Sequence, residues 1–338
     1  MDQGPCLLGA SMDYGLKQSS DELIRRFLTL NTRQDVADLL EVDDRFLRAV
    51  LYGTKERERY RNFEIRKRSG GRRVISVPPK NLAILQRKLN VVLGLIYMPK
   101  TCAFGFVRDK SIVGNARQHC GRRHLLNVDL EGFFPSINIH RVRGAMSSYG
   151  VGHDAAVVLA QICCMADGTL PQGAPTSPII SNIICRSLDN ELMQLAKASR
   201  CQYTRYADDL TFSTSLARIP SRVGSLSDGF QLGNGIAAII DKHNFKIHHA
   251  KTTYSCPLHR QEVTGLIVNE FPNIRRPFIR SLLGALYAWE KHGYEKANMI
   301  YRERFRRSGQ GLELRSHLRG CVKSRDITPF GPVGGSSG

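Results

Sequence analysis

The chain has 338 residues, 42% hydrophobic and 23% charged, enough apolar material for a sizeable core, which excludes a disordered or fibrous chain. Its 49 Lys and Arg stand against 30 Asp and Glu, a formal charge of +19, so a polyanionic partner is the first physical expectation and a membrane surface the weaker one. No run reaches the ~18 apolar residues of a membrane span, and residues 1–20 lack a secretory pattern, so a cytoplasmic protein with no membrane partner is expected. The nine cysteines are dispersed and odd in number, as reduced thiols are. Cys102, His119, Cys120 and His124 could be drawn as zinc ligands, but without a Cys-x-x-Cys knuckle they read as core or loop residues.

In chain order, apolar spacing of i, i+3, i+4 predicts helices over 21–30 and 32–42, opening after Ser20 and after Asn31 or Thr32, with a third over 44–52. Residues 32–51 have the outline of a DNA-reading helix-turn-helix, but short amphipathic helices are far more often packing elements, and they are read so here. From Lys55 to Arg73 nine basic residues face three acidic ones across the turn Ser69-Gly70-Gly71, which predicts a basic β-hairpin continuing through 74–78. A helix over 81–95 follows. Next come an apolar strand over 124–128 that ends at Asp129, the bulky turn Phe133-Phe134-Pro135-Ser136, and a helical pattern over 140–166.

The small-residue loop Pro171-Gln172-Gly173-Ala174-Pro175-Thr176-Ser177-Pro178 feeds a helix over 178–198, with Ser177 expected as its cap and Pro178 at its first position. Gly173 and Ala174 allow close backbone approach by a ligand, and Gln172 offers an amide for a sugar or base. Strands are expected at 202–205 and 210–214, at 245–247 and at 263–269. Residues 271–326 hold thirteen basic against five acidic residues around an amphipathic helix marked by Ile279, Leu282, Leu283, Leu286 and Trp289. Residues 331–338 carry no apolar pattern and are set aside as a flexible tail. No repeat of 20–50 residues is visible.

The most informative stretch is Tyr206-Ala207-Asp208-Asp209, two adjacent acids at a hairpin tip where an ordinary turn offers Gly or Asn. With Asp129 they form a set of three carboxylates that repel one another unless cations compensate. Hard divalent cations such as Mg²⁺ take oxygen ligands and leave positions for substrate phosphates, and two of them clamp the attacking and leaving oxygens of an in-line displacement. The chemistry expected is phosphoryl transfer. Arg73 and Lys251 are of the type that neutralises a triphosphate, although a surface charge would account for either alone.

Taken in order, Arg73 with Pro78, Asp129 with Phe133-Phe134-Pro135-Ser136, the Gln172 to Pro178 loop, Tyr206-Ala207-Asp208-Asp209, Lys251 and Val263-Thr264-Gly265-Leu266 resemble the successive motifs of bacterial reverse transcriptases. Asn115-Ala116-Arg117-Gln118-His119 looks like the Asn-Ala-x-x-His motif, and Val263-Thr264-Gly265 like the Val-Thr-Gly triplet, of the retron branch. The resemblance implies an α+β right-hand polymerase: fingers over 55–123, a ferredoxin-like palm of antiparallel strands backed by helices over 124–270, with part of 140–170 packing on the fingers, and a basic helical thumb over 271–327. Residues 1–54 would form an N-terminal helical segment and 328–338 the tail.

By the same resemblance Asp129, Asp208 and the Leu130 carbonyl would hold two Mg²⁺ ions, with Asp209 completing the set. Phe134 would exclude the ribose 2′-hydroxyl. Gln172 and Gly173 would meet the incoming dNTP, Arg73 its triphosphate and Lys251 the leaving pyrophosphate, while Asn115, His119, Val263, Thr264 and Gly265 would lie against primer and RNA. The implied activity is copying part of a cognate noncoding RNA into multicopy single-stranded DNA, primed from a guanosine 2′-hydroxyl, in antiphage defence with an effector protein and with host RNase H. A group II intron-like or diversity-generating enzyme, an RNA-dependent RNA polymerase and a noncatalytic RNA-binding scaffold are the alternatives.

Overall fold

The computed structural model describes residues 15–53, 60–66, 71–226, 229–305 and 313–323. Lys55, Arg57, Arg59, Lys67, Arg68 and the Ser69-Gly70 part of the basic hairpin lie outside those residues, as does the tail.

Three capped helices open the described chain: α1 (Ser20–Leu28), α2 (Arg33–Leu39) and α3 (Asp44–Tyr52). The cap of α1 is Ser19, one residue before the expected start, and Thr32 with Asp35 forms a capping box on α2. Leu23, Phe27, Val36, Leu39, Leu47 and Leu51 are buried in the main core, so α2 and α3 are packing elements and not a groove reader. The basic hairpin is β1 (Arg61–Arg66) antiparallel to β2 (Arg72–Val77), with Ile65 opposite Arg73. Helix α4 (Lys80–Ile96) packs on α1 and α3, tying the three opening helices into the main hydrophobic core.

Past α5 (Ile112–Arg117), the central strand β3 (His124–Glu131) runs beyond Asp129. The helical pattern after it is broken at Gly150, whose φ is 89°, giving α6 (Ile139–Ser147) and α7 (His153–Cys163) where one helix was expected. Helix α8 (Ser177–Ala198) has Thr176 at its cap without a side-chain bond. The expected cap, Ser177, instead donates its hydroxyl to the Pro171 carbonyl at 2.6 Å and closes the Pro-rich loop on itself.

Strands β4 (Gln202–Tyr206) and β5 (Asp209–Thr214) follow, then the small hairpin β6 (Gly224–Ser225) with β7 (Gln231–Leu232), helix α9 (Asn234–Lys242), β8 (Lys246–Ile247) and β9 (Thr253–Ser255). All pairings of the main sheet are antiparallel, in the order β4-β5-β3, with β8 and β9 sharing the far edge of β3. The strand expected over 263–269 is a two-residue hairpin, β10 (Glu262–Val263) with β11 (Leu266–Ile267), because Thr264 and Gly265 turn with φ of 47° and 84°. Helix α10 (Arg276–Phe305) kinks at Gly293 and packs on α11 (Leu314–Lys323) around Trp289, Tyr294, Ala297, Tyr301, Leu314 and Leu318, a small core of its own. Among the described residues no helix is long and apolar enough to cross a membrane.

The period of two along each strand splits the main sheet into unlike faces. Leu126, Val128, Leu130, Tyr203, Leu210 and Phe212 bury against the helices in the main core. The register puts Leu125, Asn127 and Asp129 beside Ser213, Thr211 and Asp209 on the opposite, more polar face.

Candidate active site and nucleic-acid face

At one end of the polar face Asp129 lies directly opposite Asp209, and Tyr206 opposite Asp209 on its other side, so Ala207 and Asp208 alone make the turn between β4 and β5. Ala207 has a φ of 56°, a left-handed backbone that a residue with a Cβ resists. The surroundings enforce it. Arg205 donates to the Ala207 carbonyl at 3.3 Å, and a Cβ on Gly105 would meet the Ala207 nitrogen at 2.5 Å, so only glycine lets the 102–107 segment lie so close. The Leu130 N–H donates to the Asp208 carbonyl at 3.1 Å, which fixes the turn against β3.

Burial, and after it the neighbouring Asp129 carboxylate, raises the Asp208 carboxyl, while Arg73 and Lys251 oppose the rise. Burial together with Asp208 and Asp129 pushes Asp209 up to about 7. The Lys251 ammonium donates to both oxygens of Asp129, at 2.9 and 3.2 Å. Among the described residues no three acidic, imidazole or thiol side chains form a ready metal cage. The donor set nevertheless fits hard cations: oxygens only, mutually repelling, with an ammonium already standing on one carboxylate.

The other nucleotide-facing candidates meet at the same end. The Gln172 carbonyl accepts from Ser76 N–H of β2 at 2.8 Å, and a Cβ on Gly173, at φ 123°, would stand 2.8 Å from Ile75 Cγ2. The loop is thus docked on the strand that carries Arg73. Phe134, half-buried, leans edge-on against Phe133 with ring centroids 5.3 Å apart.

The second group of candidates is placed differently. Asn115 and Val263 are 1% exposed and His119 is 0% exposed, so these side chains offer nucleic acid no surface, and the expectation of direct RNA contact is corrected for them. The His119 ring nitrogens lie 2.7 Å from Ser213 Oγ and 2.7 Å from Thr204 Oγ1, and burial brings its pKa down to about 3. Both Asn115 side-chain atoms lack a hydrogen-bond partner. Val113, Ala116, Leu125, Val263 and Leu266 pack as one cluster, and Asn127 donates to the Glu262 carbonyl at 2.9 Å, so the two motifs form a single lid over the far end of the polar face. Thr264 is half-buried and Gly265 exposed at the tip of that lid.

A reverse transcriptase (RNA-dependent DNA polymerase) family model matches residues 65–270, which include every residue described in this section. The retron Ec86 reverse transcriptase of Escherichia coli is 32% identical over 71% of this chain and 72% of its own length. The chain belongs to the retron reverse transcriptases. The retron Mx65 reverse transcriptase of Myxococcus xanthus is 35% identical over 75% of this chain, which spans 62% of that relative's length. Among solved structures, telomerase from Candida albicans with a fragment of telomeric RNA has a TM-score of 0.46 and 10% identity, covering 78% of this chain and 59% of that one.

Within this family frame the main sheet is the palm, and it shows residues that motif reading passed over. Arg205, 0% exposed, forks onto Asp189 at 2.7 and 2.8 Å and also donates to the Asn182 side chain at 3.0 Å, linking α8 to the Ala207 turn. The available signal was an arginine inside an otherwise buried strand, with Asn182 and Asp189 seven residues apart on the apolar face of a helix.

Proposed function

We propose that this chain is an RNA-directed DNA polymerase that copies part of a cognate, structured noncoding RNA into single-stranded DNA. The reading rests on one observation: three carboxylates meet at one end of the palm face, within reach of the charge of Arg73, whose strand holds the Gln172 loop. When bound, two Mg²⁺ ions supply charge neutralisation and a clamp on the attacking and leaving oxygens. Asp129, Asp208 and the Leu130 carbonyl would hold them, with Asp209 completing the set.

The chain's own residues supply the rest. The tight turn fixed by Arg205 presents Asp208 beside Asp129 without reorganisation. Arg73 sets positive charge against the dNTP triphosphate, and Lys251 faces the leaving pyrophosphate. Phe134 closes the pocket beneath the sugar and rejects a 2′-hydroxyl by collision. The +19 charge grips a folded RNA by phosphate and shape. Priming from a guanosine 2′-hydroxyl, a branched RNA–DNA product, removal of copied RNA by a host RNase H and an effector in antiphage defence complete the proposal, as does the division into fingers 55–123, palm 124–270 and thumb 271–327.

The test is dNTP incorporation by the full chain with its copurified RNA. The Asp208→Asn, Asp209→Asn protein should make no DNA, and retained synthesis would refute the reading. Tight RNA binding by the unaltered protein without any Mg²⁺-dependent synthesis would favour a noncatalytic scaffold instead.

A further inference from the structure

The sugar gate has a second wall, and it comes from outside the palm. On the core side Phe134 rests on Phe133, which stacks on Phe245 at 5.7 Å, and the Arg141 guanidinium lies over the Phe245 ring at 4.3 Å. Arg141 is locked in turn by the Ser136 and His243 carbonyls, at 3.2 and 3.0 Å. That side cannot give. The Phe134 ring also meets Phe106, which stands outside the main core, with centroids 6.3 Å apart at an interplanar angle of 50°.

Three features place Phe106 by the catalytic turn and not by general packing. The Phe104 N–H donates to the Arg205 carbonyl at 2.8 Å, Asn182 donates to the Gly105 carbonyl at 3.0 Å, and Gly105 lies against Ala207 so closely that a Cβ would meet its nitrogen at 2.5 Å. The loop is therefore clamped to the backbone that carries Asp208. Phe106 itself has a φ of 59°, a conformation that disfavours bulky side chains, and it stays half-exposed beside Phe134.

The geometry points to Phe106 as a positioning residue for sugar discrimination: from a loop clamped to the Ala207 turn it braces Phe134 and keeps the gate ring from swinging out of the 2′-hydroxyl's path. This rests on the reading of Phe134 as the gate. Phe106 acts through Phe134 and not by touching the nucleotide, so its removal changes the choice between dNTP and rNTP more than it changes folding.

The experiment is single-nucleotide incorporation by the full chain, comparing kcat/KM for a dNTP with that for the matching rNTP, with thermal midpoints to confirm folding. Phe106→Ala should lower the preference for dNTP about fivefold, the scale of one lost aromatic contact. Phe106→Tyr should restore it, and the Phe106→Ala, Phe134→Ala double variant should discriminate no worse than Phe134→Ala alone. An unchanged preference in Phe106→Ala beside a relaxed one in Phe134→Ala overturns the inference and leaves the gate standing. No relaxation in either variant removes the gate reading, and the inference with it. Additive losses in the double variant overturn the claim that Phe106 works through Phe134.

Discussion

The two ends of the palm's polar face both carry sequence motifs of the family, yet they are built on opposite principles. At the open end Asp129, Asp208 and Asp209 are held together against their own repulsion. At the closed end Asn115, His119 and Val263 are sealed in, and the histidine is kept neutral by burial between two hydroxyls. The open end trades stability for a concentration of negative charge. The closed end fixes the sheet that the site stands on, and shows that a motif can mark packing as readily as chemistry.

The contrast breaks most sharply at the acids. Asp208→Asn with Asp209→Asn should cost about ten-thousandfold in incorporation, several kcal/mol of barrier, while raising folding stability. The sign follows from the direction of the shifts: carboxyls raised in the folded state favour folding below the unfolded value of 3.8 and oppose it as pH rises towards about 7. The gain should be clear in urea melts at pH 8 and vanish near pH 4; a variant less stable at pH 8 would contradict the repulsion described here.

Arg205 joins activity to stability. Arg205→Leu leaves the buried Asp189 charge with the Tyr203 hydroxyl but no cation, at a cost of about 3–5 kcal/mol, and frees the Ala207 carbonyl. Replacing Asp189 by Leu as well should recover most of the stability and none of the polymerisation. Recovery of both would mean that the arginine does not position the turn.

The closed end should respond to acid. A histidine lowered from 6.5 to about 3 contributes fully above pH 6.5, and its contribution falls between those values as the unfolded chain alone takes up the proton. By pH 5 the loss is about 2 kcal/mol. The drop in urea midpoint between pH 7.5 and 5 should therefore be smaller in His119→Asn, and an equal drop would show that burial of this ring is not what the acid attacks.

The smallest expected effect is at the docked loop. Gly173→Ala puts a Cβ 2.8 Å from Ile75 Cγ2 on a backbone at φ 123°. Displacing the loop by that contact should raise KM for dNTP roughly tenfold, about 1.4 kcal/mol, with little change in RNA affinity. Steady-state titration of dNTP against a filter-binding measurement of RNA separates the two.

Much of this was legible in the residues, and the failures are specific. Helical periodicity located α1 to α4 and α8 to within a few residues, since an amphipathic face is written at 3.6-residue spacing whatever the partner. It ran α6 and α7 together because a single glycine turn leaves the apolar pattern intact on both sides. The strand expected over 263–269 fails for a related reason: Val263, Leu266 and Val268 are apolar for a lid, and only the turn at Thr264-Gly265 separates a lid hairpin from a strand. Asn115 and His119 were placed against primer and RNA by the resemblance alone; nothing in a linear chain tells whether Ser213 and Thr204 will be there to receive an imidazole.

By itself the sequence determined the family, through the ordered motifs from Asp129 to Asp209, and it determined the net positive charge of the chain. Only the tertiary structure decided which motif residues face solvent. Register placed Asp129 opposite Asp209, and the alternation of the strands assigned one face to the core and the other to the site. Long-range contacts brought Gly105 and Phe106 to the Ala207–Asp208 turn, and Asn182 and Asp189 to Arg205. Burial depends on what packs across the sheet, and that is a property of the fold, not of any one stretch of chain.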